Sequence, residues 1–372
     1  MALITTAEQE ELRTVIREFL KRYSSEADVR KQIDGELGYD PQAWRTAAEQ
    51  IGMHALAIPE ELGGAGYGFD ELAVVLEETG RALFTAPVLP SVVLAPALLL
   101  RSGDERACAR YLPGIADGST VATVAVSERA ASWEESDINV AATRDGDRWL
   151  LDGTKAYVLS GAEATLILVA ARTARGVSLF AVESSAAGFG AMPLPVMDLT
   201  RRLARVTFEN CPAVLVGTDG EGWDVLAHVF DYAIVALACE QVGGAAAVLD
   251  ATVDYLKMRE QFGRPIGSFQ AIKHRCADML VELESARSAA AYASAALAAG
   301  ADDASLSASI AKVYCSQAFY HIAAESIQMH GGIGFTWEHP AQLFFKRAKS
   351  AETMFGSPSA HRERIAKLVG MN

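Results

Sequence analysis

The sequence contains no run of lysines and arginines long enough to read as a patch. Its 372 residues carry 33 basic against 47 acidic side chains, a formal net charge of −14. A nucleic-acid protein needs a cationic stripe to neutralise phosphates, and scattered Lys and Arg do not form one. No C-x-x-C pair occurs among Cys108, Cys211, Cys239, Cys276 and Cys315, and their number is odd. A disulfide framework is not expected; the thiols read as reduced and mostly buried, and no metal site is expected. No basic segment followed by an apolar one opens the chain, so no signal peptide is expected. The apolar run 88–100 is too short to span a bilayer and holds Pro90 and Pro96. These absences predict a soluble, cytoplasmic protein with neither nucleic acid nor membrane as partner.

Apolar residues, in contrast, are plentiful. Hydrophobic residues make up 51% and charged residues 22%, which excludes disorder and allows a large core. At roughly 100–200 residues per domain the length suggests two or three domains. Residues 1 to about 115 read as helical. Thr5 precedes Glu8, and Thr6 precedes Gln9, at capping-box spacing. Leu12, Val15, Ile16, Phe19 and Leu20 then share one helical face. Helices are expected at 41–51, closed by Gly52, at 70–83 and at 91–101. The cluster Ile58-Pro59-Glu60-Glu61-Leu62-Gly63-Gly64-Ala65-Gly66 reads as a turn. From about 119 to 215 the texture changes to short β-branched runs at 120–126, 138–143, 149–151, 166–170, 177–182 and 205–208. Asp145-Gly146 is a hairpin signal between two of them. Long helices return at 223–258, 269–299, after Asp303, and at 343–354. Residues 233–238 are apolar on every side, so the first of these helices should be central. In the helix after Asp303, Ile310, Val313, Tyr314, Ala318 and Ile322 share a face, and Gly331-Gly332 ends it.

Two segments at the ends of these helices carry chemistry. One is Arg259-Glu260-Gln261-Phe262-Gly263-Arg264-Pro265-Ile266-Gly267-Ser268-Phe269-Gln270. The other is Gln328-Met329-His330-Gly331-Gly332-Ile333-Gly334-Phe335-Thr336. Arg259 offers a planar fork of donors matched to a pyrophosphate. Gln261 and Gln270 add amides, and Phe262 and Phe269 add apolar walls. Gly331 and Gly332 let backbone N–H groups approach a ligand. Together these groups suit a phosphate-bearing cofactor.

Taken together, the two segments closely resemble the acyl-CoA dehydrogenase family of flavoenzymes. Ile58 to Gly66, Leu112-Pro113-Gly114 and Gly153-Thr154-Lys155 support the resemblance, which covers nearly the whole chain. It implies an α+β fold: an N-terminal helical domain at 1–116, a middle antiparallel β-barrel at 117–221 and a C-terminal four-helix bundle at 222–372. It implies FAD as cofactor. Arg259, Gln261, Phe262, Phe269, Gln270, Gln328, Gly331 and Gly332 would hold its ADP half, in trans, for a flavin lying mainly in the neighbouring subunit. It implies an acyl-CoA substrate, dehydrogenated at Cα–Cβ by a carboxylate that takes the α-proton while a hydride leaves for the flavin. An electron-transferring flavoprotein is implied as acceptor.

The same resemblance exposes what is missing. Counting forward from Gln328, the slot of the family's usual glutamate base falls at Phe355. The alternative slot, on the helix at 223–258, falls at Ala233. Glu240 shares that helix face but lies about 10 Å further along the axis at roughly 1.5 Å per residue, and reads as an internal hydrogen-bonding residue. Glu352 stands one turn before Phe355. Asp231 resembles a CoA contact, yet Ile234 replaces the arginine that usually follows. At the flavin edge the chain reads Ser127-Glu128-Arg129-Ala130, reaching Ser136-Asp137 after an insert, and Tyr157-Val158-Leu159-Ser160-Gly161, where the family usually has a threonine at the Leu159 position. No catalytic residue is assigned. The losses fall on one half-site while the trans-acting segments stay intact. That pattern predicts a subunit assembling with a second acyl-CoA dehydrogenase chain as a heterotetramer, an arrangement that actinobacterial steroid side-chain dehydrogenases resemble. The alternatives are a self-sufficient homo-oligomer with a non-standard base, and a related flavin oxidase or hydroxylase.

Overall fold

The computed structural model describes residues 6–129, 134–146 and 148–371; Thr5 of the first capping signal and Ala130 of the flavin-edge motif lie outside the described residues. The chain divides into two compact units, one of Met1–Lys31, Ala73–Phe84 and Ile234–Asn372, the other of Gln32–Leu72 and Thr85–Ala233.

Local signals explain most element starts. Helix α1 (Ala7–Tyr23) opens on a complete capping box, Thr6 Oγ1 accepting from Gln9 N–H and Gln9 Oε1 from Thr6 N–H. Ile16, Phe19 and Leu20 are buried as the periodicity predicts, whereas Val15 is 41% exposed. Within the stretch read as helical, α2 (Glu26–Asp34) starts beside a reciprocal pair, Ser25 N–H donating to Asp28 Oδ2 at 3.0 Å and Asp28 N–H to Ser25 Oγ at 3.3 Å. Next, α3 (Pro41–Thr46) continues as a π-helical turn over Ala47–Ile51 and stops at Gly52, φ 73°. Then come α4 (Phe69–Arg81), α5 (Ala95–Arg101) and α6 (Glu105–Ala116). Leu112-Pro113-Gly114 lies in α6, ahead of the first strand.

The strands are β1 (Ala122–Ala125), β2 (Ala141–Asp145), β3 (Arg148–Leu159), β4 (Leu166–Thr173), β5 (Gly176–Glu183), β6 (Phe189–Pro193) and β7 (Leu203–Val216). The alternating texture misses β6. Pairings β4–β2–β3–β7–β5 return to β4 and close a ring. Most rungs are antiparallel, but β1 runs parallel to β4, and Ala141 of β2 pairs parallel with Arg172 of β4. Asp145 pairs with Arg148 across the predicted hairpin, with Gly146 at φ 60°. Inward residues Val140, Leu151, Val169, Phe180, Val206 and Phe208 fill the closed sheet.

The remaining helices are α7 (Gly222–Met258), α8 (Gln270–Ala298), α9 (Ala304–His330), α10 (Ala341–Thr353) and α11 (Pro358–Leu368), the last unforeseen. By length and apolarity α7 could cross a membrane, but 89% of its most apolar window is buried inside the fold. Along α7 and α9, Gln241 meets Ser316, Thr252 meets Ser326 and Tyr255 meets His330. Both numbers rise together, so these helices run parallel. Between α8 and α9, Glu282 meets His321, Ala286 meets Cys315 and Tyr292 meets Asp303. One number falls as the other rises, so α8 runs antiparallel to them. Asp303 stands at the α9 N-cap without capping it, because its carboxylate receives the Tyr292 hydroxyl instead. The expected α9 face is split: Ala318 and Ile322 are buried, whereas Ile310 is 43% and Tyr314 47% exposed. Small residues Ala308, Ala311 and Cys315 take the inward positions.

Candidate functional site

Parallel α7 and α9 with antiparallel α8 have one structural consequence. The C-termini of α7 and α9 and the N-terminus of α8 lie at one end of the bundle. Arg259, Gln261, Phe262, Phe269 and Gln270 therefore come to the same end as Gln328, Gly331 and Gly332. Tyr255 makes the link, its hydroxyl donating to His330 O at 3.4 Å and its ring lying 4.3 Å from the His330 ring.

After α7, strands β8 (Glu260–Gln261) and β9 (Arg264–Pro265) form a two-rung hairpin. Phe262 and Gly263 turn it with φ 55° and 75°, the double positive φ of a type I′ turn. Phe262 is thereby carried to the tip and is 93% exposed. The Arg264 guanidinium lies 3.9 Å from the centre of the Phe269 ring. Arg259 is fixed through its backbone: its N–H donates to Tyr255 O at 2.9 Å and its carbonyl accepts from Ile266 N–H at 2.8 Å. Its side chain is exposed and has no partner among the described residues. Gln261 folds back on Glu260 O at 2.7 Å, and Gln270 Nε2 lies 2.8 Å from His274 Nε2.

On the α9 side Gly331 has φ 65° and ψ −142°, a conformation essentially restricted to glycine. A Cβ built on Gly331 or Gly332 would meet no atom within 4 Å. The conformation explains Gly331. Gly332 instead leaves backbone uncovered toward open space. An unpaired guanidinium, exposed amides, bare backbone and an aromatic tip suit a diphosphate ester carrying a planar base, so the residues present fit the ADP half of FAD.

The base slot is built differently. Phe355 is 7% exposed and has φ 55°, unusual for a bulky residue, and is followed by Gly356 at φ 97°. Its carbonyl receives buried His361 Nε2 at 2.8 Å. Just upstream, fully buried Lys312 Nζ donates to the carbonyls of Ala351 at 2.6 Å and Glu352 at 3.1 Å, closing the C-terminus of α10. Nothing in the sequence marks Lys312, because a lysine in an Ala-rich helix reads as solvated surface. Glu240 is an internal residue as expected: Arg347 bonds its carboxylate, and both are buried. The Glu352 carboxylate receives Lys349 Nζ at 2.6 Å. Ala233 is fully buried and Asp231 is 6% exposed on α7.

In the barrel unit, Glu128 is a structural strut. It accepts Lys155 Nζ at 2.8 Å and the N–H groups of Asn139 and Val140 at 2.7 and 2.8 Å. Burial pulls the Lys155 ammonium down to about 8, with Glu128 opposing. Leu159 is 7% exposed, and its carbonyl accepts the Thr123 hydroxyl at 2.5 Å. Tyr157 bulges from β3 with φ 56° and is half exposed.

Three family models cover the chain in order: the N-terminal domain of acyl-CoA dehydrogenase over residues 6–119, the middle domain over 123–211 and the C-terminal domain over 220–370. The chain belongs to the acyl-CoA dehydrogenase family. Members of this family are FAD flavoproteins, and its helical, closed-sheet, helical architecture is the one described above. The acyl-CoA dehydrogenase IpdE2 of Mycolicibacterium smegmatis is 37% identical over 361 residues, 97% of each chain. Among solved structures, a variant of the Tcur3481-Tcur3483 steroid acyl-CoA dehydrogenase aligns with TM-score 0.88 and 32% identity, covering 97% of each chain. The ChsE4-ChsE5 complex of Mycobacterium tuberculosis aligns with TM-score 0.90 and 27% identity over the full length of both chains.

Proposed function

We propose that this chain is the assisting subunit of a two-chain acyl-CoA dehydrogenase. Arg259, Gln270, Gln328, Gly331 and Gly332 would hold the ADP half of FAD, with Gln261, Phe262 and Phe269 beside them. The partner, a second chain of the same family, supplies the carboxylate that removes the α-proton. Bound FAD supplies the hydride acceptor. This chain's part is binding and orientation: Arg259 balances phosphate charge, and the Gly331-Gly332 backbone permits close approach. The substrate is an acyl-CoA thioester, of steroid type by analogy with the Tcur3481-Tcur3483 relative. Electrons leave to an electron-transferring flavoprotein, and the assembly works in the cytoplasm.

One observation carries this reading. The base slot holds a buried phenylalanine whose carbonyl is bonded to His361, and both substitute acids are engaged, Glu240 by Arg347 and Glu352 by Lys349. The two named structural relatives are heteromeric by their names, which supports the same division of labour. The test is purification. The chain alone should be colourless or inactive with an artificial electron acceptor, and should gain flavin absorbance and activity when co-expressed with a neighbouring dehydrogenase gene. A yellow, active assembly of this chain alone would instead establish a self-sufficient enzyme with a non-standard base.

A further inference from the structure

Along α8, Lys273, Ala277, Leu280 and Glu284 follow one another at spacings of four, three and four residues, and all four are exposed. That spacing puts them on one face and is the period of the seam between two helices packed side by side. The strip is about 16 Å long at roughly 1.5 Å per residue. Its middle is apolar, Leu280 being 51% and Val281 66% exposed. Its ends carry opposite charge. Lys273 has no ion-pair partner among the described residues. Glu284 lies 3.4 Å from Arg287 on its own helix, but Arg287 is already bonded to Glu77. Beside the strip a groove of about 490 Å³ runs between α7 and α8, its apolar lining being Leu249 and Val253 on one side and Ala277 and Leu280 on the other. The charged residues that line it are matched within the chain, Arg81 to Asp250 at 2.5 Å and Lys257 to Asp254 at 3.3 Å. They leave no spare charge to hold an ionic small molecule. What remains is apolar surface ringed by neutralised ions, which is the anatomy of a protein–protein contact.

The strip is complementary to itself. In a two-fold contact the same surface serves both copies, so each facing pair occurs twice. With two α8 helices antiparallel, the register that sets Lys273 against Glu284 of the other copy also sets Ala277 against Leu280 and Cys276 against Val281. Cys276 lines the groove, so Val281 of each copy meets the groove of the other. A parallel pair would instead set lysine against lysine and glutamate against glutamate. In the antiparallel pair Gln270 falls opposite Arg287, which keeps the two Gln270 ends roughly 25 Å apart along the contact.

We propose that the α8 strip and its groove form a two-fold contact with a second copy of this chain. In an assembly of two unlike chains it joins two copies of this chain, and so two pairs into one tetramer. This contact is independent of the cofactor reading. Sedimentation velocity of the full chain, alone and in the co-expressed complex, measures it. A dimer is expected for the chain alone and two copies of it in the complex. Leu280→Asp should weaken self-association roughly 10- to 100-fold with an unchanged melting curve, because the side chain replaced is exposed. Lys273→Glu should weaken it too, and Lys273→Glu combined with Glu284→Lys should restore it. Cys276 alone among the five cysteines is not buried. Val281→Cys treated with diamide should therefore yield a disulfide-linked dimer, and the further change Cys276→Ser should remove that cross-link. A chain that is monomeric alone and present once in the complex overturns the proposal. So does a dimer undiminished in Leu280→Asp, or one that gives no cross-link with Val281→Cys. Protection of Cys276 from thiol reagents by the unlike chain in a one-to-one pair would assign the groove to that chain and overturn it likewise. A cross-linked dimer whose complex binds no FAD leaves the contact standing and removes the cofactor assignment; a flavin-bearing one-to-one complex does the reverse.

Discussion

Residues Gly331 and Gly332 separate two uses of one amino acid. The first adopts φ 65°, ψ −142°; the second lies outside the left-handed region, with open space where a Cβ would be. Gly331→Ala should therefore cost about 1–3 kcal/mol of folding stability, read as a lower denaturant midpoint. Gly332→Ala should fold normally and lose FAD affinity, because its methyl group would stand where the ligand approaches. Equal destabilisation by both would refute this distinction. His54 makes a pH prediction. It is fully buried, both ring nitrogens lack hydrogen-bond partners among the described residues, and its ring centre lies 3.8 Å from that of Trp44. Burial lowers its pKa to about 4 from 6.5, with Asp117 opposing. Between those values the unfolded chain binds more protons than the folded one, so stability falls as pH falls from 6.5 toward 4. The loss amounts to on the order of 3 kcal/mol. His54→Leu should flatten that part of the stability–pH curve; an unchanged slope would assign it to other groups.

At the scale of elements, the glycines inside α4 and α7 matter most. A Cβ on Gly243 would lie 1.7 Å from Glu77 O, and one on Gly80 would lie 2.1 Å from Glu240 O. The two helices touch backbone to backbone. That contact sets Glu77 and Glu78 among Arg13, Arg17 and Arg287. Gly243→Ala should cost more than about 3 kcal/mol or prevent folding, because no flexible side chain can yield; near-normal thermal stability would show that α4 can shift. Sequence reasoning located α7 and its buried centre but had no account of these glycines, which in a helix interior read as a penalty. It also placed Ile310 and Tyr314 on one face with Ala318 and Ile322, of which only the latter two are buried. Periodicity identifies a face without identifying what covers it.

For the whole molecule, the central prediction concerns a side chain with no partner among the described residues. Arg259→Ala should preserve folding and assembly while weakening FAD retention roughly 10- to 100-fold, the worth of a charge-assisted bond. Flavin absorbance after gel filtration of the complex measures it, and full retention would remove the role assigned to Arg259. Much was legible beforehand. The order of helical, strand-rich and helical regions follows from periods of 3.6 and 2.0, which are local properties. The Arg259 to Gln270 and Gln328 to Gly332 segments were legible because turn glycines and clustered donors announce themselves in one dimension. Phenylalanine at 355 was legible because an acid is absent. Other features depend on pairs distant in sequence. The parallel course of α7 and α9 brings Tyr255 to His330 and the Arg259–Gln270 and Gln328–Gly332 segments to one end. Ring closure through β4–β5, the capture of Glu240 by Arg347, and the burial of Lys312 beneath α10 have the same origin. Local chemistry sets each element's conformation, whereas partnership is set by packing, and packing is decided only when the whole chain has folded.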